Sequence, residues 1–178
     1  MKFLLITTII TVMAGLIPAE HWNADAASAK ISFSVKGPFG RVHGNFSGLK
    51  TTIQFSEKDL ASSSLSATIE AKTVSTGISL RNSDLRNKEE WLNTEKYPVI
   101  SFKSKKIEKT SSGYKVSGDL TIKGTTKPVE IPFTFVPSGN TGVFKGQFTI
   151  NREDYKIGKT GGSVGNPISI SLEVPVKK

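Results

Sequence analysis

His21 and His43 are the only histidines in a chain of 178 residues that has no cysteine, so few groups are suited to acid, base or nucleophile chemistry near neutral pH. A catalytic triad needs an imidazole between a nucleophile and an orienting carboxylate. His21 stands next to an expected cleavage point, which leaves His43 as the one candidate. His43 lies in Arg41-Val42-His43-Gly44-Asn45-Phe46, opposite in phase to Val42, where a solvent-facing or hydrogen-bonded strand residue is the simpler expectation. Zinc requires three or four ligands close together, and no His/Asp/Glu cluster has that spacing. Asp119, Glu153 and Asp154 can pair with Arg152 or Lys127, but charges at turns are usually structural or solvated. Gly158, Gly161, Gly162 and Gly165 do not follow a strand and open a helix, as a phosphate loop requires. No catalytic residue, metal or cofactor is assigned.

Apolar surface is the remaining resource, and it is carried at period two. Ile31, Phe33 and Val35 alternate before Gly37-Pro38; Val42 and Phe46, Ile53 and Phe55, and Leu65, Ala67, Ile69 and Ala71 follow. Later come Ile100 and Phe102, Tyr114 and Val116, Leu120 and Ile122, then Val129, Ile131, Phe133 and Phe135. Phe144, Phe148 and Ile150, and then Ile168, Ile170, Leu172 and Val174, end the series. Short runs with turn residues between them predict an all-β chain of roughly eight to ten strands. Consecutive strands joined by short turns favour an up-and-down arrangement, which tends to close into a barrel because closure removes the sheet edges.

Gly118 to Val136 reads as a hairpin within that barrel. One segment breaks the period: Ser83 to Leu92 predicts a short helix between central strands, capped by Asn82 or Ser83, with Leu85, Trp91 and Leu92 on one face. It would either plug a barrel end or line a ligand entrance. Tyr97-Pro98 ends it, since a residue before proline prefers extended backbone.

A small closed barrel either fills its interior with side chains or keeps a slot for one elongated apolar ligand. Ala67, Ala71, Gly118 and Gly146 leave room in places, or bend strands as bulges. By phase and size, the expected ligand-lining residues are Phe33, Phe46, Phe55, Ile69, Trp91, Phe102, Leu120, Ile122, Phe133 and Phe148.

Residues 1–19 match a secretory signal peptide: Met1-Lys2, an apolar run from Phe3 to Ile17, then Ile17-Pro18-Ala19 for cleavage. The run is shorter than the ~20 apolar residues of a membrane span. Export to a periplasm or the exterior is expected, with residues 20–178 forming one domain. Lys and Arg number 24 against 15 Asp and Glu, a net charge of +9 that falls to about +8 if Lys2 is removed. That balance suits an anionic membrane surface, or is ordinary solubility. Nucleic acid is a poor fit, because the lysines are scattered singly along strands with no arginine-rich helix.

The order of motifs resembles the YceI-like lipid/polyisoprenoid-binding family over nearly the whole mature chain. The resemblance rests on Trp22 to Asp25, Ser32 to Lys36, Val42-His43-Gly44-Asn45-Phe46, Leu80-Arg81 and Leu85-Arg86. It continues through Glu95-Lys96-Tyr97-Pro98 to Ser104, Gly118 to Val129, Asn151 to Tyr155, and Val164-Gly165-Asn166. Membership implies a lipocalin-like antiparallel barrel with a long isoprenoid or other lipid tail inside, a periplasmic or secreted home, and no catalytic residues. Two histidines of the family pattern are replaced here, by Gly37 and within Arg81-Asn82-Ser83-Asp84-Leu85, so a headgroup contact through them does not transfer. Arg81, Arg86 and Arg152 remain as mouth or structural cations.

The expected function is non-enzymatic binding of a long apolar lipid, a polyisoprenoid by the resemblance, for carriage, storage or stress response. The alternative is a structural or stress-response interaction module with a filled interior and a basic face toward a membrane or partner. A second copy of the chain is a candidate partner in either case.

Overall fold

A computed structural model describes residues 19–178; residues 1–18, which hold all but the last residue of the expected signal peptide, lie outside the described residues. Ten strands run β1 (Glu20–Ala24), β2 (Lys30–Gly37), β3 (Gly40–Phe46), β4 (Lys50–Phe55), β5 (Ser64–Glu70), β6 (Val99–Thr110), β7 (Gly113–Ile122), β8 (Thr125–Ser138), β9 (Thr141–Asn151) and β10 (Pro167–Lys177). All pairings are antiparallel, and β10 meets β9 on one side and both β1 and β2 on the other. β1 also pairs with β4, which closes the sheet.

Two of the eight walls are strands interrupted by a short bulge. β1 and β2 occupy successive stretches of β10, with Asp25 to Ala29 looped out between them. β3 pairs with β2, and β4 with β1, on either side of Ser47 to Leu49. Beyond β5 the chain stays in line with this wall: Asn45 and Ser75 exchange backbone hydrogen bonds of 2.9 and 3.0 Å. The result is a closed, eight-walled, up-and-down barrel, as the alternation predicts.

β7 shows the cause most clearly, since each alternate residue from Tyr114 to Ile122 is buried and each intervening one is partly exposed. Its hairpin with β8 places Gly118 opposite Val129 and Ile122 opposite Thr125. The two-residue turn has positive φ at both centres, 49° at Lys123 and 70° at Gly124, the geometry whose twist matches antiparallel strands.

The helix α1 (Ser79–Asn87) begins four residues before the expected start and ends five before the expected end. Asn82 does not cap it: its Oδ1 accepts from the backbone N–H and the hydroxyl of Thr76, both at 2.8 Å, which braces the turn leading in. Trp91 and Leu92 lie beyond the helix in a chain reversal against its last turn, where Leu92 N–H donates to Leu85 carbonyl at 3.0 Å. The three apolar side chains still converge, but through a fold-back instead of helical periodicity.

Candidate functional site

The barrel interior divides into two ends. At the first, the start of β1, the ends of β4, β6, β8 and β10 and the starts of β7 and β9 bring together Trp22, Phe55, Tyr114, Phe133, Phe135 and Phe144, all buried. Phe55 is at the centre, with edge-on rings of Tyr114, Phe135 and Phe144 at centroid separations of 5.2 to 5.3 Å. Such edge-to-face clusters fill volume densely. Trp22 Nε1 donates to Phe55 carbonyl at 3.1 Å, so the indole is satisfied inside the plug. Tyr114 donates its hydroxyl to Glu57 at 2.6 Å, and burial followed by that carboxylate pushes its pKa up to about 12.

At the other end the lumen is hollow, with an internal cavity of about 280 Å³. Its wall is almost wholly aliphatic and aromatic. Of the expected lining, Phe33, Phe46, Ile69, Trp91, Phe102, Leu120, Ile122 and Phe148 border it. Phe55 and Phe133 do not: they face inward as their phase requires, but at the level of the aromatic plug, where their neighbours leave no free space. Phase decides the face of a strand residue, whereas its height along the barrel depends on register and strand tilt.

Aromatic rings at the hollow end are held against the wall. Phe33 is the cross-strand neighbour of Gly44, and a Cβ on Gly44 would collide with the ring. Phe102 covers Gly118 in the same manner, with its ring 2.7 Å from where a Cβ would be. Each ring occupies space that a side chain on the next strand would take, and the axis stays open. Gly118 therefore gives room and is not itself a bulge; the extra residue lies on the partner strand, where the register of β6 shifts between Ser104 and Lys106. The inward-facing Phe33, Phe46, Ile69, Ile100, Phe102 and Phe148 accordingly retain accessible surface, unlike the aromatic plug.

The cap of the hollow end comes from the two long connections between strands. Val74, Leu85, Trp91 and Leu92 from the β5–β6 connection, and Ile157 and Val164 from the β9–β10 connection, reach the cavity. Arg152 holds the second connection together. It is 2% exposed, and its guanidinium donates to the carbonyls of Gly165, Ile157, Lys159 and Val164 at 3.1, 2.7, 3.1 and 2.8 Å, with Glu153 at 3.3 Å. The planar five-donor fork explains why arginine is used to gather a loop. Gly158 packs under Trp91 and Arg152, leaving no room for a Cβ. Arg86 ties α1 to the wall by donating to Val74 carbonyl at 2.8 Å. Arg86 and Arg152 are thus bound to backbone, while Arg81 lies partly exposed on α1.

Tyr155, beside Arg152, is 1% exposed in the apolar cluster of this end; burial, then the charge of Asp154, raises its pKa to about 12. His43 faces solvent opposite Ser34 on the outer wall. Outside the lumen, Tyr97 lies across the β7–β8 turn, its ring 2.7 Å from where a Cβ on Gly124 would be. The two most distinctive sequence blocks, Tyr97-Pro98 and Gly124 to Pro128, therefore meet in space.

An up-and-down antiparallel barrel with an apolar internal cavity defines a lipocalin-like class of protein. Within it, the chain belongs to the YceI-like domain family, whose model matches residues 22–176. Relatives described as UPF0312 proteins include one from Pectobacterium atrosepticum, 28% identical over 97% of this chain and 95% of its own length. Another, from Yersinia enterocolitica, is 30% identical over 90% of this chain and 88% of its own length. Among solved structures, Burkholderia cenocepacia BcnA superposes with a TM-score of 0.80 at 26% identity, covering 86% of this chain and 99% of that one. A polyisoprenoid binding domain from Saccharophagus degradans shares the fold, with a TM-score of 0.68 at 15% identity over 88% of this chain and 97% of that one.

Proposed function

We propose that this protein binds a long apolar lipid, of polyisoprenoid type, in the hollow end of its barrel, without catalysing a reaction on it. The observation that carries this reading is the persistent accessible surface of the inward-facing Phe33, Phe46, Phe102 and Phe148 around a cavity of about 280 Å³. Apolar side chains inside a closed barrel pack against one another unless something else is to fill the space. Burial of each CH₂ contributes about 0.8 kcal/mol, so a chain of several prenyl units is held by area alone. The branched, unsaturated prenyl chain suits a wall of aliphatic and aromatic side chains, and the similarity to a domain named for polyisoprenoid binding supports the same choice.

Export through residues 1–19 belongs to this proposal, because a periplasmic carrier would move such lipids between membranes. Organic extraction of natively purified protein, followed by mass spectrometry, is the test. Recovery of a prenyl lipid in stoichiometric amount is expected; repeated recovery of none sinks the reading. N-terminal sequencing of the protein from the extracytoplasmic fraction checks the leader, with an intact Met1 as the contrary result.

A further inference from the structure

A lipid carrier must collect its cargo from somewhere, and the rim of the hollow end has a feature that the cavity does not explain. Phe39 is 103% exposed at the tip of the β2–β3 hairpin, in the two-residue loop Pro38-Phe39 between paired Gly37 and Gly40. Turns of this kind favour small and polar residues, and none of the described residues packs on this ring. Leu80 at 75% and Ile78 at 49% exposure stand at the start of α1. The two sites share a rim. Ser75 pairs antiparallel with Asn45, so the chain leading to Ile78 and Leu80 runs alongside β3 toward the hairpin tip.

Cations flank the apolar tips. Lys36 and Arg41 pair across the hairpin immediately below Phe39, with Arg41 donating to Ser34 Oγ at 3.3 Å, and Arg81 follows Leu80. Single exposed apolar residues are ordinary, but three on one edge with adjacent cations match a surface that enters the headgroup region of an anionic bilayer. The hairpin that carries Phe39 at its tip also carries Phe33 and Val35 of the cavity wall on β2, so a lipid chain leaving the bilayer at this rim is delivered beside the cavity.

We infer that this rim docks the protein on an anionic phospholipid bilayer, with Phe39, Ile78 and Leu80 inserted and Lys36, Arg41 and Arg81 on the headgroups. This deepens the carrier reading and rests on it for its purpose, though docking itself is measured separately. The purified protein is floated with vesicles of phosphatidylcholine alone or with phosphatidylglycerol added. Binding only to the anionic vesicles, weakened by salt and reduced about tenfold in an F39S/L80S double variant, is expected. A Phe39→Trp variant should shift its emission to the blue on those vesicles and be quenched by brominated lipid chains. Unchanged binding in F39S/L80S, or no shift at Trp, overturns the inference. A concentration-dependent dimer that F39S/L80S abolishes overturns it in favour of a second copy as the occupant. Extracted lipid with no vesicle binding refutes docking and leaves the carrier standing; vesicle binding with no extractable lipid does the reverse.

Discussion

Trp22, Phe55, Tyr114, Phe133 and Phe135 interlock with Phe144 at one end of the barrel, while Phe33, Phe46, Phe102 and Phe148 surround open space at the other, with Phe144 at the boundary. Both groups face inward on strands of one sheet, so neither hydrophobicity nor phase separates them. What separates them is what stands opposite each ring. At the plug, aromatic residues from β1, β4, β7, β8 and β9 meet at one level and occupy the axis. At the cavity, Phe33 and Phe102 lie over Gly44 and Gly118, and smaller aliphatics such as Ala67 and Ile170 complete the wall. The plug is the densely packed end of the barrel and the hollow end the one with room for a ligand, because stability comes from dense packing and binding needs its absence.

Truncating each half exposes the contrast most strongly. Phe55→Ala removes the centre of the plug and should cost about 3–5 kcal/mol in denaturant unfolding. Phe148→Ala, at a wall that already borders a void, should cost less than about 2 kcal/mol while lowering lipid retention. Equal losses would show that the cavity collapses in solution. Arg152→Met is next: it strips four backbone carbonyls of a buried donor and should destabilise by at least about 2 kcal/mol. Its signature would be loss of hydrogen-exchange protection over residues 152–166 before the plug strands.

Enlargement tests the same comparison in the opposite sense. Val176→Phe overfills the plug and should cost about 1–3 kcal/mol, whereas Ala67→Leu projects into the cavity and should change stability by under about 1 kcal/mol. Ala67→Leu should nevertheless reduce the lipid recovered on extraction. Alkaline pH reaches both ends at once. Tyr114 in the plug and Tyr155 at the hollow end have folded pKa values raised to about 12. Their neutral forms therefore contribute stability that is full below the unfolded value near pH 10 and is lost as pH rises through about 12. Unfolding midpoints measured across that window should fall, and Tyr114→Phe should flatten part of the decline.

Much of the fold was legible because a strand reports itself locally. Alternation from Tyr114 to Ile122 and in β8 can be read one residue at a time, and the positive-φ turn at Lys123-Gly124 needs only its glycine to be suspected. Seven of the ten side chains expected around a ligand border the cavity for that reason, and Trp91 borders it from a chain reversal. Phe55 and Phe133 were misplaced because height in a barrel follows from register across several strands. The α1 boundaries were displaced because Asn82 braces Thr76 instead of capping, a choice made by the loop it meets. Val74, Ile157 and Val164 carried no signal, since loop residues have no period.

By itself the sequence determined an antiparallel barrel with an apolar inside and the family to which it belongs, because period, turn chemistry and signature blocks are properties of neighbouring residues. Only the tertiary structure decided that the inside is filled at one end and empty at the other. That outcome depends on which rings from distant strands arrive at the same level, and on Gly44 and Gly118 giving Phe33 and Phe102 a place on the wall.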